Sequence, residues 1–131
     1  MRNSKALNAY LIISGLLLTF IGGVTLLMPV EMKTGSGIEV AGNISVLNDI
    51  RASSALLLSL AILNLLGAFS QKLKFSASLV SSILFLALGT GRVLSILIDG
   101  MPVEGLLGAT LLEFILGIAG LILFIINREK N

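Results

Sequence analysis

Five ionisable residues could carry chemistry inside or at the edges of the apolar runs of this chain: Asp49, Arg51, Arg92, Asp99 and Glu113. An isolated charge deep in a membrane helix costs on the order of 2.5–3.5 kcal/mol on insertion scales. Such groups therefore face a bundle interior or a wet cavity, and they are candidates for function by default. Glu113 could carry a proton or pair with a cation. Arg92 and Arg51 offer planar forks matched to a carboxylate or to the polar head of a ligand. The competing reading is a structural ion-pair network that fixes helix order.

The inventory around these residues is narrow. The chain has no Cys and no His. Disulfides, thiol redox chemistry and Cys-based metal sites are thereby excluded, and the commonest metal ligand and neutral-pH proton shuttle are missing. No nucleophile–base pair, metal cluster or phosphate-binding loop is visible, so no catalytic residue, metal or cofactor is expected and an enzyme is not. The net charge of +2 comes from nine basic and seven acidic residues. No basic face with interleaved aromatics exists, so nucleic acid is not an expected partner.

Elements of one kind must position the charges. Of 131 residues, 56% are hydrophobic and 12% are charged, with a mean hydropathy of +1.05. Soluble domains are roughly 45–50% apolar and about 25% charged. The chain lacks the charge to cover a soluble core, and reads as a small integral membrane protein with the lipid bilayer as its partner. A transmembrane helix needs about 20 mostly apolar residues. Four segments qualify, at about 6–28, 48–69, 75–98 and 104–126, within one domain spanning 1–131. The fold class is all-α, an integral-membrane four-helix bundle.

Punctuation supports these spans. Pro29 ends the first. Asn48 or Asp49 is placed to cap the second, and the acid suits the positive end of the helix dipole. Residues 70–74 read as a short polar loop, and Asp99-Gly100-Met101-Pro102 as a tight turn. The only long connection, 29–47, holds the flexible run Thr34-Gly35-Ser36-Gly37. Its second part, 38–46, reads either as a hairpin or as an amphipathic piece on the membrane surface. The first apolar segment exceeds the roughly 7–15 residues of a signal-peptide core, and no small-x-small cleavage site follows, so it reads as a retained helix.

Lys and Arg placement orients the bundle. Arg2, Lys5, Lys72, Lys74, Arg128 and Lys130 fall on one side, with Lys33 opposite and Arg51 at the mouth of the second span. Both termini are therefore expected in the cytoplasm, with one long external loop between the first two spans. Tyr10, Phe69, Phe75 and Phe124 sit near the same inner boundary, as interfacial aromatics do. An inner-membrane location follows.

Small residues spaced by four mark close helix packing. They are Gly15, Thr19 and Gly23 in the first span, Ala87, Gly91 and Ser95 in the third, and Gly105, Ala109 and Gly117 in the fourth. Packing within the bundle is the simpler reading, and a homo-oligomer seam the other. A turn near position 72 sets Asn64 opposite Ser81, with Ser78 and Ser82 close by, and predicts an interhelical hydrogen bond. A turn near position 101 sets Arg92 opposite 111 and Glu113 opposite 90. The pair is then about 3 Å apart along the axis, within easy reach of an Arg side chain. Arg92 shares a helix face with Asp99, and Arg51 lies at the depth of Asp49 and Glu104. Together they outline a charged cluster in the outer half of the bundle.

The same motifs resemble an uncharacterised family of bacterial four-helix membrane proteins, a domain of unknown function related to the broad DoxX-like group. The resemblance is carried by Asp49-Ile50-Arg51, Gly91-Arg92, Asp99-Gly100-Met101-Pro102 and Glu113, and covers nearly the whole chain. Family members often look Gly-rich after the second-span Arg, where this chain has Ala52-Ser53-Ser54-Ala55. The resemblance implies no assigned activity. Some DoxX-like proteins look like small subunits of quinone-linked oxidoreductases, an analogy of fold.

Three functions are compatible with these residues. One is a non-enzymatic accessory protein or subunit of a larger membrane complex. Another is a binder of a quinone or lipid through Arg51, Arg92 and Glu113. The third is a small proton-coupled transporter with Glu113 as carrier, although no inverted repeat or broken helix is evident.

Overall fold

A computed structural model describes residues 1–129. Lys130, counted among the basic residues of the C-terminal tail, lies outside the described residues. Among those described, the chain is all-α with no strand. Its helices are α1 (Lys5–Leu27), α2 (Pro29–Gly35), α3 (Ile44–Phe69), α4 (Gln71–Asp99) and α5 (Glu104–Asn127). Four of them, α1, α3, α4 and α5, are long and apolar enough to cross a membrane. Phe20, Ile62, Leu97 and Ile115 are among many large apolar side chains left on the outside. That surface suits hydrocarbon, and the chain is a membrane protein.

Helix ends differ from the sequence expectation where polar residues continue a helix past its apolar run. α3 starts at Ile44, not Asn48. Its cap is Asn43, whose side chain accepts the Val46 N–H at 3.1 Å. Asn48 and Asp49 lie exposed inside the helix. α4 likewise starts at Gln71, so the polar loop expected over 70–74 shrinks to Ser70, and Lys72 and Lys74 are helical. Hydropathy reports the apolar stretch, whereas the hydrogen-bonded helix runs as far as its ends are capped.

The long connection also departs from both expected shapes. Pro29 stops α1 and opens α2, because it lacks the N–H that a first helical turn leaves unused. Residues 36–43 then form turns, with Val40 buried, and 44–46 belong to α3. Gly100 has φ 100° at the end of α4, a left-handed conformation that suits Gly and lets the chain reverse into α5.

Packing pairs α1 with α3 and α4 with α5, and the α3–α4 turn joins the two pairs. Gly15 and Gly22 let α1 approach Leu65 and Leu58 of α3. Gly117 takes Leu86, Gly89 takes Phe114, and Gly120 takes Tyr10 and Ser82. The four-residue stripes are only partly used. Gly23 and Gly91 face open space, Thr19 is exposed, and Gly105 lies beside Ser36. At 3.6 residues per turn a four-residue step drifts about 40° around the helix, whereas the seven-residue step from Gly15 to Gly22 returns nearly to the same face.

The end that carries Met1 and Glu129 is closed by polar contacts. The Arg2 N–H donates to Asn127 O at 2.8 Å and its guanidinium to Ile126 O. The Gln71 amide donates to Met1 O, and the Met1 amine pairs with Glu129 at 3.0 Å. Further in, Asn64 donates to Ser14 Oγ at 2.9 Å and accepts from Ser81 Oγ. This network ties α1, α3 and α4 together. The α3–α4 bond is the one expected, while Ser14 adds a third helix. Beyond it, Leu18, Leu60, Ala61 and Phe85 form an apolar layer drawn from α1, α3 and α4.

Candidate functional site

Past that layer lies a cavity of about 800 Å³ lined by residues of both helix pairs. Leu18, Phe85 and Leu116 lie at its base, and Ile21, Leu57 and Leu106 contribute to its walls. Leu56 of α3 and Leu88 of α4 also line it, yet are 60% and 36% exposed, so the cavity reaches the protein surface along the α3–α4 seam. The wall is mostly apolar. Its hydroxyls from Thr25, Ser54 and Thr110 spend their protons on the carbonyls of Ile21, Ile50 and Leu106, at 2.6–2.8 Å. Back-bonding of this kind lets a hydroxyl sit in an apolar wall without an unpaired donor.

The polar content is concentrated in four charged residues, Lys33, Asp49, Arg92 and Glu113. Arg92 Nε donates to both oxygens of Glu113, at 2.8 and 3.1 Å. The side chains are 34% and 12% exposed, respectively, so the carboxylate is the more buried partner. The turn at Gly100 brings α4 and α5 side by side in the register that allows this pairing. Only Nε is used. Among the described residues, the two terminal amines of Arg92 make no protein hydrogen bond.

The structure separates the other members of the expected charged cluster. Arg51 is exposed and outside the cavity wall, because its guanidinium donates to Leu26 O near the end of α1. There it satisfies a carbonyl that the helix leaves unpaired and complements the negative end of the dipole. Asp99 is exposed, lies outside the wall, and accepts from Ser95 Oγ at 3.0 Å. Asp49 lines the cavity but is exposed. Glu104 is exposed at the start of α5.

Lys33 is the residue that the sequence did not single out for the site. It projects from α2, half-buried, and lines the same cavity as Arg92. Burial, and then the charge of Arg92, hold its ammonium below the ordinary lysine value of 10.5. Pro29 at the first helical position, Glu31 in the first turn and Gly35 at the end were the local signals for the helix that carries it. A second unforeseen charge lies at the opposite end. Lys74 is 2% exposed and donates to Asn3 Oδ1 at 3.0 Å and Asn8 Oδ1 at 2.5 Å.

A family model described as a domain of unknown function, DUF4345, matches residues 6–124. No curated protein and no solved structure matches the chain.

Proposed function

The chain belongs to the DUF4345 family, and from that premise we propose that it is a non-enzymatic accessory protein of a bacterial inner membrane that holds a lipophilic ligand such as a lipid or a quinone. The observation that carries this reading is the cavity of about 800 Å³ with an apolar wall and the Arg92–Glu113 pair set into it. Ligand pockets of about 300–1,000 Å³ are typically apolar with a few placed polar groups, and this cavity has that make-up. Its opening along the α3–α4 seam gives a ligand a route from the hydrocarbon. With both termini in the cytoplasm, as the basic residues imply, the cavity belongs to the outer leaflet. Glu113 is less suited to carry protons, since Arg92 already engages both of its oxygens.

The test is mass spectrometry of protein extracted gently from its membrane, beside a variant whose cavity is filled by Ser54→Leu and Ala109→Phe. A small lipophilic molecule is expected with the natural chain and not with the variant. Absence of any such molecule from the natural chain, or equal retention by the folded variant, overturns the reading.

A further inference from the structure

Two cations, Lys33 and Arg92, line one largely apolar cavity together with Asp49 and Glu113, and among the described residues no protein anion bridges the two cations. Glu113 is committed to Nε of Arg92, which leaves the terminal amines of the guanidinium without a partner among the described residues. Lys33 makes no salt bridge among those residues. Asp49 lines the cavity but pairs with neither cation, and is exposed.

We infer that the site takes an amphiphile whose head is a single phosphate or carboxylate, held between the Lys33 ammonium and the terminal amines of Arg92. This assignment rests on the ligand-binding reading above and adds the chemistry of the head. An anion between two cations removes their mutual repulsion and satisfies donors that are otherwise idle. Burial first, and the charge of Arg92 second, hold the Lys33 ammonium below the ordinary lysine value, in keeping with two cations that share one cavity. A neutral head would leave the repulsion in place, and a cationic one would add to it. The phosphate or carboxylate could equally belong to a soluble anion. The apolar wall and the seam favour the amphiphile, whose tail would lie along Leu56, Leu57 and Leu88. Glu113 acts as a positioning residue, fixing the guanidinium through Nε.

The experiment titrates the full chain in an uncharged detergent with hexadecyl phosphate, hexadecanol and inorganic phosphate, and reads complexes by native mass spectrometry. Hexadecyl phosphate is expected to bind one to one, about tenfold to a hundredfold tighter than hexadecanol, the scale of charge-assisted hydrogen bonds. Lys33→Gln should abolish that advantage and Lys33→Arg should keep it. Lys33 stands on α2, outside the four long helices, so neither change threatens the bundle. Equal binding of the two amphiphiles overturns the anionic head, and an advantage that survives Lys33→Gln overturns its seat between Lys33 and Arg92; either leaves the ligand-binding reading intact. Binding of neither amphiphile, or binding unaffected by the cavity-filling changes, overturns the reading beneath it. Inorganic phosphate binding as tightly as hexadecyl phosphate overturns the amphiphile and assigns the cations to a soluble anion.

Discussion

Arg92 Nε stands between the two carboxylate oxygens of Glu113, 2.8 Å from one and 3.1 Å from the other, and joins α4 to α5 beside the cavity. Removing one partner strands the other in a low-dielectric setting, which costs more than removing both. Glu113→Gln and Arg92→Met should each destabilise the protein by about 1–3 kcal/mol, a range lowered here because Arg92 is partly exposed. The double variant should be more stable than the two losses summed, with a coupling of about 1–2 kcal/mol. A double-mutant cycle on reversible unfolding in mixed micelles measures this. Additive losses would show that the pair is not energetically coupled.

Asn64 is the hub of the closed half. It donates to Ser14 and accepts from Ser81, and all three side chains are fully buried. Interhelical polar contacts in membranes average about 0.6 kcal/mol each, and unsatisfied donors add to the loss. Asn64→Ala should therefore cost about 1–3 kcal/mol, whereas Ser59→Ala should cost under about 0.5 kcal/mol. Ser59 is exposed, and its hydroxyl donates only to Ala55 O. Similar thermal midpoints for the two variants would contradict the role of the network.

Gly22 and Gly23 are chain neighbours with opposite surroundings. A Cβ on Gly22 would meet Leu58 Cγ at 3.1 Å and Ser54 O at 3.2 Å, while one on Gly23 would meet nothing within 4 Å. Gly22→Ala should lower stability by about 1–3 kcal/mol through overpacking. Gly23→Ala should be neutral or raise it by up to about 1 kcal/mol, the usual gain in a helix interior. Thermal unfolding of the two variants side by side decides it.

These glycines show what could be read from the sequence. Apolar runs gave the four spans, since lipid demands about 20 apolar residues in a row. Reflection about a turn brought Arg92 to Glu113 and Asn64 to Ser81, because antiparallel neighbours share depth. Which way a residue faces was less legible. The stripe through Gly15, Thr19 and Gly23 shares a spacing, but only Gly15 and the overlooked Gly22 meet α3. Arg51 lay at the right depth for the charged cluster, yet its guanidinium turns to Leu26 O. Lys33 reached the cavity through α2, a seven-residue helix too short to leave a periodic signal.

Lys33 should make stability depend on pH. Its folded value lies below the ordinary 10.5, so the unfolded chain binds more protons in the window between the two. The cost of burying charged Lys33 therefore shrinks as pH rises across that window, is gone above about 10.5 and is full below the window. The gain should stay under about 1 kcal/mol, because the side chain is only half-buried. Lys33→Met should remove this part of the slope. The check is the difference in thermal midpoint between the two proteins, followed from neutral pH towards 10.5. A constant difference would mean that Lys33 titrates alike in both states.

The chain has no Cys, so single cysteines can report its orientation without background. Glu39 lies exposed in the connection between α2 and α3, and Lys72 lies exposed near the start of α4, at the opposite end of the bundle. The basic residues clustered at the Lys72 end predict that this end faces the cytoplasm. In intact spheroplasts a membrane-impermeant maleimide should label Glu39→Cys and spare Lys72→Cys until the membrane is opened. The reverse pattern would turn the bundle over and place the cavity, with Lys33 and Arg92, in the cytoplasmic leaflet. An anionic head would then have to come from that leaflet, and the source of the ligand would change while its chemistry would not.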